Sequence, residues 1–297
     1  MKRLPELVVL SLLALASLPA LAQSSATIEQ RGFTNVASIE QNTSSADATI
    51  IQSIAGEGNR ASIRQEGRAV GATVEQSGRG HATEVVQQID GSNVTVLQKG
   101  GVANKLIVEQ IAVDSSVSVQ QDMTQNQARI MQRGVGMRVD VTQLGLGHDL
   151  TVNQSDGMSS AVSGKQWGGG QRGRIDWNAG IGGTGLATAT LFQSGQDNVA
   201  AIRGDGTFIT ASVTQEGTSN EADVNLSGGD SVATIEQNGT LLRGSIVTMG
   251  DMNQATIRQG GLGSSASITQ TGSGKTATIL QNVADGGRLN TATIVQR

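Results

Sequence analysis

Residues 26–41 of the chain are ATIEQRGFTNVASIEQ, and the unit at both ends of this stretch, Ala-x-Ile-x-Gln, recurs along the sequence. Within the second unit, Ala37, Ile39 and Gln41 alternate with polar residues. An alternation of period two places successive side chains on opposite faces of a β-strand. Each unit therefore predicts a short strand with one face of apolar and amide side chains and one polar face.

The unit recurs mostly at intervals of 11 residues. Its closing position falls at 30, 41, 52, 65, 76, 87, 98, 110, 121, 132, 143, 154 and 166, and then at 193, 204, 215, 226, 237, 248, 259, 270, 281 and 296. Gly204, Leu226 and Thr248 replace Gln at three of these positions, and a degenerate unit fits near 175–179. The residues between units are rich in Gly, Asn and Ser, which suit turns because Gly and Asn tolerate positive φ.

A single short strand cannot bury its inward face alone, but two strands per coil, each stacked on its equivalent about 22 residues later, can. We expect an all-β solenoid of about twelve such coils with two stacked parallel sheets, roughly 55–60 Å long. Stacked Gln side chains would bond the Gln above and below, which removes the cost of burying an unbonded amide. The absence of proline after Pro19 agrees with this fold, since every interior strand donates to a ladder.

Residues 155–187 interrupt the pattern. They are rich in Gly and contain both tryptophans, Trp167 and Trp177. We expect an irregular segment here, between one repeat array at 23–154 and a second at 188–297. Two divergent units with long turns would explain the segment, and so would an exposed functional loop.

The first 22 residues have the form of a secretory signal peptide. Lys2 and Arg3 precede an apolar run over residues 7–16, and residues 20–22, ALA, are a small-x-small cleavage site. Removal of residues 1–22 would leave a first strand that begins about three residues later, with no segment that caps it. The sequence therefore predicts an exported protein.

Composition excludes several classes of protein. The chain has no Cys and no Tyr, so disulfides do not support it, and it lacks the large aromatic side chains of a typical enzyme core. The net charge of −4 gives no electrostatic reason to expect nucleic acid as a partner. No stretch after the signal approaches the ~20 apolar residues of a membrane span, so we expect no integral membrane segment.

Three short stretches imitate known binding motifs. Residues 272–276, GSGKT, end like a phosphate-binding loop, but Thr269 stands where that loop requires Gly. Residues 180–185, GIGGTG, match a dinucleotide fingerprint, but β-like residues follow where a helix must begin. Residues 203–205, RGD, are an integrin-type tripeptide, which we expect at a turn.

Nothing in the sequence assembles a catalytic or metal site. His81 and His148 are the only histidines, and without Cys a zinc site would need an unusual ligand set. Acidic residues lie at strand spacing on the predicted outer face instead of converging on a cleft. We therefore expect no enzymatic activity, no cofactor and no metal.

The spacing Gln-x-Gly-x-x-Asn-x-Ala-x-x-x-Gln over residues 30–41 resembles the curlin repeat of curli subunits, which form bacterial extracellular amyloid fibres. The same spacing recurs over 193–200 and 215–222, and most of it over 250–259. The C-terminal residues 293–297, TIVQR, are similar to the end of a curli nucleator subunit. Familiar curli subunits have fewer repeats, and an N-terminal segment that addresses them for secretion precedes those repeats. The resemblance therefore leaves the choice between major subunit and nucleator open.

The resemblance implies a secreted structural subunit, exported through the periplasm into an extracellular fibre at the cell surface. Such fibres act in cell adhesion and in the biofilm matrix. The implied partners are further copies of the chain, other curli-type subunits and an outer-membrane secretion apparatus. The residues expected to form the ladder of the amyloid core are Gln30, Asn35, Ala37, Ile39, Gln41, Ile50, Gln52, Ile63, Gln65, Val74, Gln76, Gln98, Gln132, Gln143, Gln193, Asn198, Gln215, Asn220, Gln237, Gln259, Gln270, Gln281 and Gln296.

Self-assembly also follows from the predicted fold, because an uncapped solenoid end exposes unpaired backbone groups to an incoming end. The alternative is a soluble monomeric β-solenoid that binds a repetitive ligand, ice or a polysaccharide, through an outer Thr/Ser column. That column is Thr27, Thr49, Thr73, Thr95 and Ser118. The neighbouring outward positions are often charged, which argues against a flat ice-binding array.

Overall fold

The computed structural model describes residues 24–53, 57–178, 186–282 and 289–297. Over these residues the chain consists of 24 strands joined by turns, without a helix. The strands form two parallel sheets of 12 strands each. The expected all-β solenoid is therefore confirmed. The expected signal peptide at 1–22 lies outside the described residues.

Consecutive strands alternate between the two sheets. Sheet 1 holds the odd-numbered strands: β1 (Ser25–Gln30), β3 (Asp47–Gln52), β5 (Gly71–Arg79), β7 (Asn93–Val102), β9 (Ser116–Thr124), β11 (Arg138–Leu146), β13 (Ala161–Gly169), β15 (Thr188–Gln196), β17 (Thr210–Thr218), β19 (Val232–Thr240), β21 (Gln254–Leu262) and β23 (Thr276–Asn282). Sheet 2 holds the even-numbered strands: β2 (Val36–Gln41), β4 (Arg60–Gln65), β6 (Ala82–Gln87), β8 (Lys105–Val113), β10 (Gln127–Val135), β12 (Asp149–Met158), β14 (Arg172–Asn178), β16 (Val199–Asp205), β18 (Glu221–Ser227), β20 (Arg243–Met249), β22 (Ser265–Thr271) and β24 (Thr291–Gln296).

Each strand pairs in parallel with the strand two places along the chain. The register places like residues opposite each other: Ile28 faces Ile50, and Gln30 faces Gln52. One coil therefore consists of one strand from each sheet, and its side chains stack on those of the next coil. This register turns the sequence repeat into columns of like side chains.

The core lies between the two sheets and consists of the inward columns. Along β3 and β4, Ala48, Ile50, Ala61 and Ile63 are buried, while the residues between them are partly or fully exposed. Burial of the apolar columns supplies most of the stabilisation that a fold with few aromatic side chains can obtain.

Residues 161–178 of the Gly-rich segment form β13 and β14, which continue both sheets. Two inward positions here are occupied by Gly164 and Gly173. A Cβ atom at Gly164 would lie 2.5 Å from the side chain of Leu150, and one at Gly173 would lie 2.5 Å from that of Leu191. The larger leucines thus fill the volume that the glycines leave. The division of the chain into two arrays at this segment stays a prediction.

Removal of one inward side chain should cost far more stability than removal of an outward one in the same strand. We expect Ile235→Ala, in the fully buried column of β19, to lower the free energy of unfolding by about 2–4 kcal/mol through lost burial and a cavity. The matched control Val232→Ala, at an exposed position of β19, should change it by less than about 0.5 kcal/mol. Guanidinium unfolding followed by circular dichroism measures both, and equal losses would contradict the assignment of the two faces.

Candidate functional site

An unbroken ladder of Gln side chains runs through sheet 1. In each coil the Nε2 atom donates to Oε1 of the Gln in the next coil, at 2.7–3.0 Å. All of these bonds point in the same direction along the chain. The expected ladder residues in this column are Gln30, Gln52, Gln76, Gln98, Gln143, Gln193, Gln215, Gln237, Gln259 and Gln281, and the structure adds Gln121 and Gln166.

The second hydrogen of many of these amides joins the two sheets. Gln52 Nε2 donates to the carbonyl of Val36 at 3.2 Å, and Gln121 Nε2 donates to that of Lys105 at 3.1 Å. Each carbonyl belongs to the first residue of a sheet 2 strand. The buried amides are therefore satisfied in two directions, and they hold the sheets together at one edge of the core.

The equivalent ladder in sheet 2 is interrupted. The expected residues Gln41, Gln65 and Gln132 belong to its first part, with Gln87, Gln110 and Gln154, and the expected Gln270 and Gln296 form its last rungs. Between them the register places Trp177, Gly204, Leu226 and Thr248. Gln154 Nε2 and Gln270 Oε1, which border the interruption, have no hydrogen-bond partner.

Trp177 is the closing residue of the degenerate unit, and its indole is 1% exposed. A Cβ atom at Gly204, in the next coil, would lie 2.5 Å from Cζ3 of the indole. Gly204 therefore provides the space that the ring needs. A Trp would overfill a closing position, and a Gly would leave it underfilled. In neighbouring coils the large and the small residue compensate each other, so the core stays closely packed.

The expectation that residues 203–205 lie at a turn is wrong. They are the last three residues of β16, where Gly204 faces the core and Arg203 and Asp205 are exposed on the outer face. The glycine that suggested a turn is required instead by the indole of Trp177. The motif is consequently extended and belongs to a sheet.

A second polar column runs along the turns that lead from sheet 1 to sheet 2; we call it the turn column. In this column a side-chain oxygen accepts the backbone N–H of the equivalent residue one coil later, as Asn35 Oδ1 does from Asn59 and Asn198 Oδ1 from Asn220, both at 3.0 Å. Asn198 Nδ2 also donates to the carbonyl of Gly217, at 3.1 Å. The expected residues Asn35, Asn198 and Asn220 all lie in this column.

Five positions of the turn column between Asn35 and Ser264 are not Asn, and their place in the column was not predicted from the sequence: His81, His148, Gln171, Leu242 and Ser264. All five are buried. A signal was present, because each follows a closing Gln by five residues, as Asn35 follows Gln30. Burial lowers the pKa of both imidazoles below the ordinary value of 6.5, although backbone carbonyls that accept from the rings oppose this shift.

The other expected residues lie in the apolar columns. Ile50, Ile63 and Val74 are fully buried, whereas Ala37 and Ile39, in the first coil, are half-buried.

The stretches that resemble binding motifs do not form a binding site among the described residues. Residues 180–185 lie outside the described residues, and residues 272–276 lead into β23. Among the described residues no group of three or more His, Asp or Glu is placed to hold a metal ion, and no helix could cross a membrane.

The two ends of the described solenoid present matching surfaces. The inward residues of β1 are Ala26, Ile28 and Gln30, and those of β23 are the same three types, Ala277, Ile279 and Gln281. In the described part of the chain, no further strand pairs with the outer side of β1, β2, β23 or β24. The ladder polarity leaves amide oxygens without a ladder donor at one end and Nε2 groups without a ladder acceptor at the other.

A charge in the amide ladder should be far more costly than a charge beside it. Gln121 is fully buried in β9, and its neighbour Gln120 is exposed. We expect Gln121→Glu to lose the donor to Gln143 and to bury a carboxylate, which lowers the free energy of unfolding at pH 7 by about 3 kcal/mol or more. Gln120→Glu should have little effect. Guanidinium unfolding at pH 7 compares the two, and equal losses would show that the ladder position carries no special cost.

The curlin associated repeat, as a family model, matches residues 23–53 and 209–239. A comparison with curated proteins finds no match. The first matched range spans β1 to β3 and includes the rungs Gln30 and Gln52, and the second includes Gln215 and Gln237. Both ranges therefore coincide with coils that carry the amide ladder and the Ala-Ile-Gln columns. The two matches identify these coils as curlin associated repeats.

Proposed function

We propose that the chain is a secreted structural subunit that stacks end to end into an extracellular, curli-like amyloid fibre, acting in cell adhesion and the biofilm matrix. The observation that carries the proposal is the match between the two ends of the solenoid. The match to the curlin associated repeat supports a structural role over a catalytic one. The proposed amyloid core consists of the Gln, Asn and apolar columns described above.

The match extends to every inward residue of the end coils. A second copy placed on the last coil would set its β1 on β23 and its β2 on β24. In that arrangement Ala37, Ile39 and Gln41 would continue the columns of Ala292, Ile294 and Gln296. The junction would then repeat the pairing that already joins β22 to β24 within the chain.

The amide ladder gives the junction a direction. Gln281 Nε2 donates to the carbonyl of Ser265 at 3.1 Å and keeps a second hydrogen for a further coil. Gln30 Oε1, at the opposite end, is an acceptor without a Gln donor in the preceding coil. The contact between copies is consequently head to tail, and a head-to-tail contact without rotational closure produces a filament.

Charges at the junction do not oppose stacking along the axis. The charged outward residues of β1 and β2, Glu29 and Glu40, would face Leu280 and Val295 of the preceding copy, so no like charges oppose each other. The outer faces elsewhere carry both signs of charge, as in the ion pair between Arg258 and Glu236 at 2.9 Å. Such charges limit sideways association, as they do at the edges of natural sheets.

Export and further partners belong to the same proposal. The signal-like pattern of residues 1–22 supports passage through the periplasm. The family supports an outer-membrane secretion apparatus and other curli-type subunits as partners of the chain. Both major subunit and nucleator are compatible with the matching ends.

The second candidate is a monomer that binds ice or a polysaccharide through the outer Thr/Ser column. The register does align Thr27, Thr49, Thr73, Thr95 and Ser118 in one row of sheet 1. The adjacent outward row, however, mixes acidic, apolar and amide side chains, so the surface is not a uniform array. The assembly experiment below separates the two candidates.

The proposed function predicts seeded fibre growth that depends on the inward face of the last coil. Residues 23–297, diluted from denaturant into buffer, should form unbranched fibres after a lag phase that preformed fibres shorten, as followed by thioflavin T fluorescence and electron microscopy. Ile294→Asp would bury a charge at the junction and should slow seeded elongation at least about 10-fold.

The matched control is Val295→Asp, because Val295 points outward from the same strand and is 55% exposed. It should elongate at nearly the rate of the unchanged chain. A stable β-rich monomer that no seed converts would overturn the proposed function and favour the ligand-binding candidate. Equal elongation by both variants would refute the end-to-end junction while leaving fibre formation intact.

A further inference from the structure

His81 makes the same two kinds of hydrogen bond as an Asn of the turn column. Its Nδ1 accepts the backbone N–H of Asn104 at 3.2 Å, and its Nε2–H donates to the carbonyl of Ser77 at 3.2 Å. In the equivalent rung, Asn198 Oδ1 accepts the backbone N–H of Asn220 and Asn198 Nδ2 donates to the carbonyl of Ser194, both at 3.0 Å. Only the neutral imidazole, protonated on Nε2, can reproduce this pair of bonds.

The fold provides the extra space that an imidazole needs. Three residues before each His stands a glycine with a left-handed backbone, Gly78 at φ 133° and Gly145 at φ 146°. A Cβ atom at Gly145 would lie 2.7 Å from His148 Nε2, and one at Gly78 would overlap the Nε2 of His81. Both rings are fully buried in these spaces.

Protonation is incompatible with both rungs. A proton on Nδ1 of His81 would face the N–H of Asn104, so a hydrogen bond would be replaced by two opposed donors. Nδ1 of His148 is buried and has no partner, so an added N–H would find no acceptor. A primary amide has no such second state, because it does not titrate.

The elements packed against His81 offer its cation no compensating charge. The charged residues near the ends of the neighbouring strands and on the preceding turn are Glu57, Arg60, Arg79, Lys99 and Lys105. Glu57 and Arg79 pair with each other at 3.6 Å, and both are largely exposed. Lys99 carries the same sign as an imidazolium and is exposed.

The surroundings of His148 are similar. The acidic residues with described side chains on the strands around it are Asp122, Asp140, Asp149 and Asp176, of which Asp140 and Asp176 pair with Arg138 and Arg174. The other basic residues on the following coil are Lys165 and Arg172. Within the described residues none of these side chains bonds to the ring, whose Nε2 donates to the carbonyl of Leu144 at 3.3 Å. Neither imidazolium would therefore be stabilised by a bonded carboxylate.

We propose that His81 and His148 make the solenoid acid-sensitive: His81 serves as an Asn-like rung when neutral and breaks the turn column when protonated, and His148, bonded through Nε2 alone, has no acceptor for a second ring proton. The chain would then be folded and stacked at neutral pH and weakened in a mildly acidic medium. The proposal concerns the folded coils, so it applies to a monomer as well as to a fibre.

The sign of the effect follows from where each state binds its protons. In the unfolded chain the imidazoles titrate near 6.5, and in the folded chain burial lowers their pKa. As the pH falls below about 6.5, the unfolded state takes up protons first. The stability contributed by the neutral rungs is therefore complete above pH 6.5 and decreases as the pH falls from there toward the lowered pKa values.

The test is guanidinium unfolding of the full chain and of the double variant His81→Asn/His148→Asn, at pH 7.5 and at pH 5. The variant restores the residue type that the chain uses in the same rungs. Carboxylates also titrate in acid, but they are the same in both proteins. Between the two pH values, the unfolding equilibrium constant of the unchanged chain should rise at least about 10-fold more than that of the variant, since each unit of lowered pKa contributes a factor of ten.

A reciprocal variant keeps the test independent of any general effect of removing His. Asn198→His places an imidazole in an Asn rung of the turn column. Ser194 and Gly195 precede this rung as Ser77 and Gly78 precede His81, so the variant should make the chain more sensitive to acid. Equal pH dependence of the unchanged chain and the double Asn variant would overturn the proposal. Failure to form fibres would bear on the proposed function alone, because unfolding is measured without assembly.

Discussion

Burying a side-chain amide is costly unless its polar hydrogens are bonded, and the geometry of the solenoid follows from this cost. Successive strands in a sheet lie about 4.8 Å apart, which is the distance over which a Gln amide can reach its copy. The amide can do so only if each coil stacks on the next without a shift in register. The Gln ladder of sheet 1 is continuous from Gln30 to Gln281, and its second hydrogens reach the carbonyls of sheet 2. Register, sheet separation and coil height therefore depend on one interaction.

The middle of the chain shows how far the pattern can change while the coils stay in register. Trp177 lies against Gly204, and leucines fill the volume left by Gly164 and Gly173. In each case the volume gained at one inward position is lost at a neighbouring one, so the packing density of the core is kept. Hydrogen bonding, in contrast, is not kept: Gln154 Nε2, next to Trp177, has no ladder partner, and its burial without one is unfavourable.

The end coils, in contrast, keep the unaltered Ala-Ile-Gln columns. A departure inside the chain can be compensated by the adjacent coil of the same molecule. A departure at an end would have to be compensated by whatever binds there. In the proposed fibre that partner is another copy, so the end coils must present the common pattern. Folding and assembly would then use the same columns and the same ladder, with the polarity of the amides setting the direction of growth.

The sequence by itself determined the fold class, because period-two alternation repeated at intervals of 11 residues admits stacked strands and little else. It also placed the Gln rungs and the turn residues Asn35, Asn198 and Asn220. It did not show that Trp177 occupies a closing position, since the 27-residue interval between Gln166 and Gln193 hides the phase. The expectation of a turn at 203–205 failed because Gly suits both a turn and the space beneath an indole. The local sequence pattern indicates which conformation a residue favours. Which atoms meet across coils depends on the register between residues 22 to 27 positions apart, and only the tertiary structure decides this register.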